Sequence, residues 1–203
     1  MAKAKQKLKI QINQNKIKTV LKTQLYKNFN TGDFKIGASI LKQFLWYFTD
    51  VFFFKTKLVP VNGILIFLLR LFGAKIGKEV RIKPGIHIKY PWKLIIGDYS
   101  WLADCYIENL DLVNIGPNCC ISQQAVLITG NHSYNKSTFN LLTSPIILEE
   151  GVWIGASAKV CPGITLHSHA VLTMGSVATK NLENYSIYQG NPAMKVKERV
   201  ISS

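Results

Sequence analysis

The sequence predicts a mainly β protein, a β-solenoid preceded by a short helical segment, over a chain of 203 residues. From Ile76 onward, aliphatic residues recur every six residues, and glycine directly follows several of them. Before Ile76 this period is missing, and residues 36–73 are instead rich in Phe and Leu. With 48% apolar and 18% charged residues, the chain can bury a core and is not disordered by composition.

The period of six carries the solenoid prediction. The longest run comprises Leu148, Ile154, Val160, Leu166, Leu172 and Ala178. Shorter runs comprise Ile76, Ile82 and Ile88, then Ile96 and Leu102, then Ile115, Ile121 and Leu127. Helices repeat about every 3.6 residues and strands every 2, so this period indicates short strands that turn a corner at each repeat, with aliphatic side chains stacked inside. We expect glycine after the aliphatic position to supply the positive φ of the corner; it stands at Gly77, Gly97, Gly116 and Gly155.

The period slips at three places, between residues 88 and 96, 102 and 115, and 127 and 148. In a solenoid such slips predict loops that leave the coil, and loops on a rigid scaffold often carry function. The largest loop spans about 129–146. The solenoid domain is predicted at 74–190, with a C-terminal tail at 191–203.

The N-terminal third is basic. Residues 1–75 carry 14 basic and 2 acidic side chains, whereas residues 76–203 carry 11 and 9. Residues 1–35 are predicted as a basic arm, and residues 36–73 as an amphipathic helical segment with helices at roughly 38–54 and 62–72. No apolar run reaches the ~18 residues of a membrane-spanning helix. The helices either cap the solenoid or, together with the arm, contact an anionic membrane surface.

Other partners and compartments are predicted from absent signals. The basic arm carries no nucleic-acid-binding motif, so no nucleic-acid partner is expected. The four cysteines form no C-x-x-C pair, and no apolar signal-peptide core follows the basic first 20 residues. We therefore expect free thiols and a cytoplasmic protein, which could also contact the inner face of the membrane.

Several ordered motifs resemble the hexapeptide-repeat acyltransferases. They are TGNHSYN at 129–135, GVWIGASAKVCPGITL at 151–166 and GSVATKNLENYSIYQGNPAMKVKER at 175–199. Upstream, LLRLFGAKIGK at 68–78 and YPWKLIIGDYSWLAD at 90–104 resemble the branch that O-acetylates exopolysaccharides, the colanic-acid-type acetyltransferases. The resemblance implies a left-handed parallel β-helix, a homotrimer with the active site between neighbouring subunits, acetyl-CoA as co-substrate, and a saccharide or lipid-linked oligosaccharide as acceptor.

The resemblance places the general base at His132, in the predicted loop. A sugar hydroxyl is a weak nucleophile at neutral pH, so a base must take its proton as it attacks the thioester, and histidine suits this role because its ordinary pKa is ~6.5. No metal is expected, since the nearest other histidine, His167, is 35 residues away. His87, His167 and His169 are predicted to be surface residues.

The remaining site residues follow from positions in the matched motifs. The expected coenzyme A contacts are Trp153, Ala156, Met174, Thr179, Lys180, Lys195 and Lys197. Trp153 fits packing across a trimer face equally well, and each lysine fits an ordinary solvated position. Asn109, Asp111 and Tyr134 are candidates for binding the acceptor, although Asn109 and Asp111 also fit structural roles at a corner.

The motifs predict direct acetyl transfer to a saccharide hydroxyl in exopolysaccharide or capsule biosynthesis. Two alternatives within the same fold are a small-molecule or antibiotic acetyltransferase and an amino-sugar N-acetyltransferase. A third alternative, from another class, is a non-catalytic β-helix scaffold.

Overall fold

Three parallel sheets wind around one core in the computed structural model, which describes residues 22–25 and 30–202. Most of the predicted basic arm lies outside these residues. Sheet A contains β1 (Lys75–Ile76), β4 (Leu94–Ile96), β7 (Val113–Ile115), β12 (Ile146–Leu148) and β15 (Thr165–Leu166). Sheet B contains β2 (Arg81–Ile82), β5 (Trp101–Leu102), β8 (Cys120–Ile121), β13 (Trp153–Ile154), β16 (Val171–Leu172), β18 (Ser186–Gly190) and β19 (Ala193–Glu198). Sheet C contains β3 (His87–Ile88), β6 (Tyr106–Glu108), β9 (Val126–Ile128), β14 (Lys159–Val160) and β17 (Val177–Ala178).

The chain visits sheets A, B and C in turn, so the parallel β-solenoid predicted from the sequence is confirmed. Most strands of the coil end on a buried aliphatic residue; in β6 and β9 the buried residue is the central one, Ile107 and Leu127. Of the fourteen aliphatic positions in the predicted runs, all but Ile76 are buried. The structure adds Ile107, which the period missed because the turn between β5 and β6 is one residue short.

The reason for the corner glycines differs from the prediction. The glycines that follow the aliphatic residues do not have positive φ; that conformation belongs to the residue two positions later, such as Tyr99 or Asn118. The glycines are needed because successive coils approach closely. A Cβ on Gly97 would lie 2.5 Å from the Pro117 backbone nitrogen, and one on Gly155 would lie 2.5 Å from the Met174 backbone nitrogen.

All three slips of the period include a longer connection on the edge where sheet C turns into sheet A; the second slip also includes the short turn between β5 and β6. We call this the loop edge; it comprises residues 89–93, 109–112 and 129–145 on three successive coils. The first loop contains a short 3-10 helix at Pro91–Lys93. The third contains an antiparallel hairpin of β10 (Gly130–His132) and β11 (Leu141–Thr143).

Two short helices precede the solenoid. Helix α1 (Ile40–Thr49) begins at Ser39, whose hydroxyl accepts a hydrogen bond from the Lys42 backbone N–H, and it continues into a π-helical segment at Asp50–Lys55. Helix α2 is Asn62–Leu71. No helix within the described residues is long and apolar enough to cross a bilayer.

The helices add their inner faces to the core of the solenoid. Trp46 of α1 packs against Phe54 and Phe72, and its indole N–H donates to the Ile88 carbonyl over 3.1 Å. At the other end, residues expected as part of a tail form β19, which pairs antiparallel with β18 on sheet B.

Candidate active site

The three loops of the loop edge are fastened to one another by polar side chains. Asn109, in the second loop, is fully buried, and its amide bonds to the backbone of the first loop. Its Oδ1 accepts from the Tyr90 N–H over 2.9 Å, and its Nδ2 donates to the carbonyls of Tyr90 and Lys93 over 2.7 and 3.0 Å. The amide oxygen and amide protons of Asn109 are therefore engaged in joining the two loops, and its expected contact with the acceptor stays a prediction.

The second loop is fastened to the third by Thr129. The buried Thr129 hydroxyl donates to the Glu108 carbonyl over 3.1 Å and accepts from the Asp111 N–H over 2.9 Å. The Asp111 carboxylate in turn accepts from the Leu112 N–H. Asp111 is half-buried at the base of the loop edge, where its carboxylate shapes the turn. The hairpin therefore leaves the coil from a fixed point beside Glu108.

His132 lies at the end of β10, in the first strand of that hairpin. Its ring stacks on Phe139, with the centroids 4.4 Å apart and the planes 7° from parallel. Its Nδ1 lies 3.0 Å from the Phe139 carbonyl oxygen. A carbonyl only accepts, so this contact requires the proton on Nδ1, and in the neutral ring Nε2 carries the lone pair. Tyr134 follows in the turn, with its side chain exposed to solvent.

A cleft that the sequence did not predict lies between α1 and sheet C. It has a volume of about 320 Å³, and its polar walls come from the π-helical segment, β3, the first loop and β6, which the chain brings together only on folding. The charged and ring-bearing residues that face it are Trp46, Tyr47, Asp50, Lys55, His87, Lys89, Tyr90, Trp92, Tyr106 and Glu108. Predicting His87 as a surface residue was wrong, because its ring stacks on Tyr106 at 4.3 Å beneath α1.

The two carboxylates of the cleft differ in how they are satisfied. Glu108 contacts His87, accepts from the Tyr106 hydroxyl over 2.8 Å and pairs with Lys89. The contact with His87, followed by the bonds from Lys89 and Tyr106, lowers the pKa of Glu108 to about 2. Burial and the bond to Glu108 raise the pKa of Tyr106 to about 12. Glu108 is therefore ionised and Tyr106 protonated throughout the physiological range.

Asp50 is the other carboxylate, and only 6% of its side chain is exposed. Its Oδ2 pairs with Lys55 Nζ over 2.9 Å and lies 3.9 Å from His87 Nδ1. Its Oδ1 is buried and has no hydrogen-bond partner among the residues that the structure describes. A buried polar atom of this kind costs about 1–3 kcal/mol.

The residues expected near the pantetheine arm lie on the edge where sheet B turns into sheet C. Ala156 and Met174 occupy the same turn of successive coils, and the Ala156 carbonyl accepts from the Gly175 N–H over 2.9 Å. Trp153 lies next to them on β13, half exposed, with its indole N–H donating to Ser122 Oγ over 3.1 Å. Met174 is 76% exposed, so its side chain is available to a ligand or a neighbouring chain.

The expected phosphate contacts lie in two different places. Thr179 and Lys180 are exposed in the turn after β17, on the same edge as the hairpin. Lys195 and Lys197 lie on β19, at the end of sheet B. Lys195 pairs with Glu183 and Glu198, at an N···O distance of 2.7 Å in each pair, and the hydrogen bonds that it donates to these carboxylates raise its pKa. Because its charge is already matched, Lys195 is a weaker candidate than Lys180 for a phosphate.

Metal binding finds no support in the geometry of the other histidines. His167 contacts Glu149 over 3.0 Å, and His169 stacks on Tyr185 at a corner. Within residues 22–25 and 30–202, no group of three or more His, Cys, Asp or Glu side chains is placed to hold a metal ion.

Comparison with known proteins agrees with the motifs. The chain is 37% identical over 165 residues to an Escherichia coli K12 protein named colanic acid biosynthesis acetyltransferase WcaF, and the match covers 81% of this chain and 91% of that protein. No protein-family model matches the chain.

Solved structures share the fold. A maltose O-acetyltransferase of Clostridium difficile 630 superposes with a TM-score of 0.71 at 23% identity, covering 79% of this chain and 87% of that one. The hexapeptide-repeat acetyltransferase VCA0836 of Vibrio cholerae, in complex with acetyl-CoA, gives 0.71 at 19% identity, covering 81% and 92%.

Identities below 25% establish the fold alone, whereas the match to WcaF extends over most of both chains. Taken with the coil and its interrupting hairpin, that match means that the chain is an acetyltransferase and belongs to the hexapeptide-repeat family, in the branch of the colanic acid biosynthesis enzymes.

Proposed function

We propose that the protein transfers the acetyl group of acetyl-CoA directly to a hydroxyl of a saccharide, with His132 as the general base. The observation that carries the proposal is the 3.0 Å contact between His132 Nδ1 and the Phe139 carbonyl. It holds the ring in the tautomer whose Nε2 accepts a proton, and the Phe139 ring fixes its plane. These two contacts together fix the orientation of the His132 ring.

The reaction needs only this base and a few hydrogen-bond donors. Nε2 takes the proton of the acceptor hydroxyl while its oxygen attacks the thioester carbonyl. The resulting oxyanion is stabilised by N–H donors. When the tetrahedral intermediate collapses, the C–S bond breaks, and the coenzyme A thiolate takes the proton back from the imidazolium. No acyl-enzyme forms, and the base returns to its starting state.

The cleft under α1 is our candidate for binding the acceptor. Glu108, on its wall, pairs in register with Ile128, and the hairpin that carries His132 begins two residues later, at Gly130. The ionised Glu108 carboxylate accepts hydrogen bonds from hydroxyls, and the tyrosine and tryptophan rings offer flat apolar faces. Carboxylates beside aromatic rings suit a polyhydroxylated ring. The names of the colanic acid and maltose acetyltransferases support a saccharide acceptor.

The coenzyme A site is proposed along the coils that follow the hairpin. Ala156 and Met174 would bind the pantetheine arm, and Thr179 with Lys180 the phosphates, whereas Lys195 would have to leave its two ion pairs. The acetyl-CoA complex of VCA0836 supports this co-substrate. A homotrimer is supported by the outer face of sheet B, where Trp101 and Trp153 are half exposed in the same ladder of strands.

The proposal is tested by incubating the protein with acetyl-CoA and a panel of saccharides, amino sugars and chloramphenicol, while free thiol release is followed. We expect thiol release that depends on a neutral saccharide, with a product whose acetyl group is removed by mild alkali, as an ester is. Release that depends only on an amine acceptor, giving an alkali-stable amide, would contradict O-acetylation. The absence of transfer to any acceptor class would favour a non-catalytic scaffold.

A further inference from the structure

Helix α1 and the π-helical segment after it carry an exposed apolar stripe. Its members are Leu41, Phe44, Leu45, Phe48 and Phe52, each between 42% and 67% exposed. Their spacing of three, four and seven residues puts them on one side of the helix. Phe48 contacts the rings of Phe44 and Phe52, at 4.8 and 6.4 Å. The stripe is therefore a continuous aromatic surface and not a set of scattered side chains.

The opposite side of the same helix is already occupied. Trp46, Asp50 and Phe54, spaced by four residues, are buried against the solenoid. One side of the helix therefore packs on its own chain, and the stripe on the other side is exposed. The outer side lacks a cover within the described residues, and contiguous apolar patches of this kind mark interaction sites.

The charge around the stripe identifies the kind of partner. Residues 34–78 carry seven basic side chains and one acidic one, Asp50, which faces inward; Lys55 pairs with Asp50, Lys57 pairs with Asp104, and the flanking residues Asp33 and Glu79 are acidic. In the sequence, residues 1–21 add six lysines and no acidic residue. A partner that covers this surface must therefore be apolar and negatively charged. A second copy of the same face would bring like charges together.

We propose that the stripe docks the protein on the surface of an anionic bilayer. The ten residues of α1 rise about 15 Å, too short to cross a ~30 Å hydrocarbon core, so the helix lies in the plane of the interface. Phe44, Phe48 and Phe52 enter the boundary between headgroups and acyl chains, as aromatic side chains do. Lysines at the flanks bind the lipid phosphates. This inference does not depend on which acceptor is acetylated.

The test is flotation of the full-length protein with vesicles of two compositions, phosphatidylcholine alone and phosphatidylcholine mixed with phosphatidylglycerol. We expect the wild type to float with the anionic vesicles, to bind neutral vesicles weakly, and to be partly released by salt. Phe48→Ser/Phe52→Ser should weaken binding about 100-fold, at about tenfold for each buried aromatic ring. Leu41→Ser/Leu45→Ser provides an independent second pair from the same stripe.

The matched control is Val200→Ser/Ile201→Ser, which removes exposed apolar side chains beyond β19. It should bind vesicles as the wild type does, and all variants should keep their thermal midpoint because these side chains carry little packing. Wild-type protein that fails to float, or stripe variants that float as well as the control, would overturn the proposal. If the wild type does not bind vesicles, and sedimentation shows an oligomer that the stripe variants lose, the stripe is instead a contact between copies of the chain.

Discussion

The edges where sheet A turns into sheet B and sheet B into sheet C, which we call the regular edges, differ from the loop edge in what holds them together. At the regular edges, four-residue turns repeat, apolar side chains fill the interior, and close stacking of the coils fixes the spacing. At the loop edge the chain bulges on three successive coils, and buried polar side chains, Asn109 and Thr129, hold the bulges together. Stability comes mainly from the repeat, and the candidate chemistry comes from its interruptions.

Removing the base is the strongest test of what the loop edge does. His132→Ala should lower kcat by about 10²–10⁴-fold, the usual contribution of a general base, while leaving the thermal midpoint nearly unchanged. His169→Asn, a corner histidine whose positive φ asparagine tolerates, is the control and should keep the rate within a few-fold. Steady-state kinetics and thermal unfolding of both variants separate a loss of turnover from a loss of stability. Wild-type turnover in His132→Ala would remove the base from this position, and an unfolded variant would make His132 structural.

The hydrogen bonds that Asn109 makes to the first loop, which we call the clamp, should affect stability and activity together. Asn109→Ala removes the side-chain partner of the Tyr90 N–H and of the Lys93 carbonyl, while the Tyr90 carbonyl keeps its bond from the Lys93 N–H, so we expect a loss of about 2–4 kcal/mol in the free energy of unfolding. Because the loops then lose their fixed arrangement, kcat should fall as well. Urea unfolding and kinetics on the same variant would measure both. If Asn109 instead contacts the acceptor, KM should rise with stability unchanged.

The glycines of the regular edges allow a direct test of close stacking. Gly97→Ala places a methyl group against the backbone of Pro117 and should cost about 1–3 kcal/mol, as overpacking does. Gly175→Ala is the matched control, since its Cβ has open space and only its φ of +70° is unfavourable, at a cost of about 1 kcal/mol. Thermal unfolding of the pair would show the difference. A loss at Gly97 no larger than the loss at Gly175 would contradict the explanation by close stacking.

The smallest expected effect concerns acid. The pKa of Glu108 is lowered to about 2 in the folded protein, below its ordinary value of ~4.3, so its ionisation stabilises the fold above that value. This contribution is lost as the pH falls from about 4 toward about 2. Glu108→Gln should therefore be less stable than the wild type at neutral pH, with a difference that shrinks over this range. A difference that stays constant down to pH 2 would contradict the assignment.

Much of the coil could be predicted from the sequence, because each structural repeat of a solenoid appears as a repeat in its amino-acid sequence. The aliphatic positions Ile82 to Ala178 followed from spacing alone, with Ile107 missed where a turn is one residue shorter. His132 was found by its motif. The clamp and the cleft were not predictable in the same way: Asn109 looks like any turn residue, and the meeting of Asp50 with Glu108 depends on how α1 packs across sheet C.

Helix α1 and the π-helical segment that follows it present two surfaces on opposite sides. Trp46 and Asp50 face the cleft, and Phe48 and Phe52 face outward. A molecule in the cleft and a partner on the stripe would therefore contact the same helical segment, and any coupling between the two binding events must be equal in both directions. An enzyme docked on a bilayer through the stripe would meet acceptors embedded in that bilayer by a search in two dimensions.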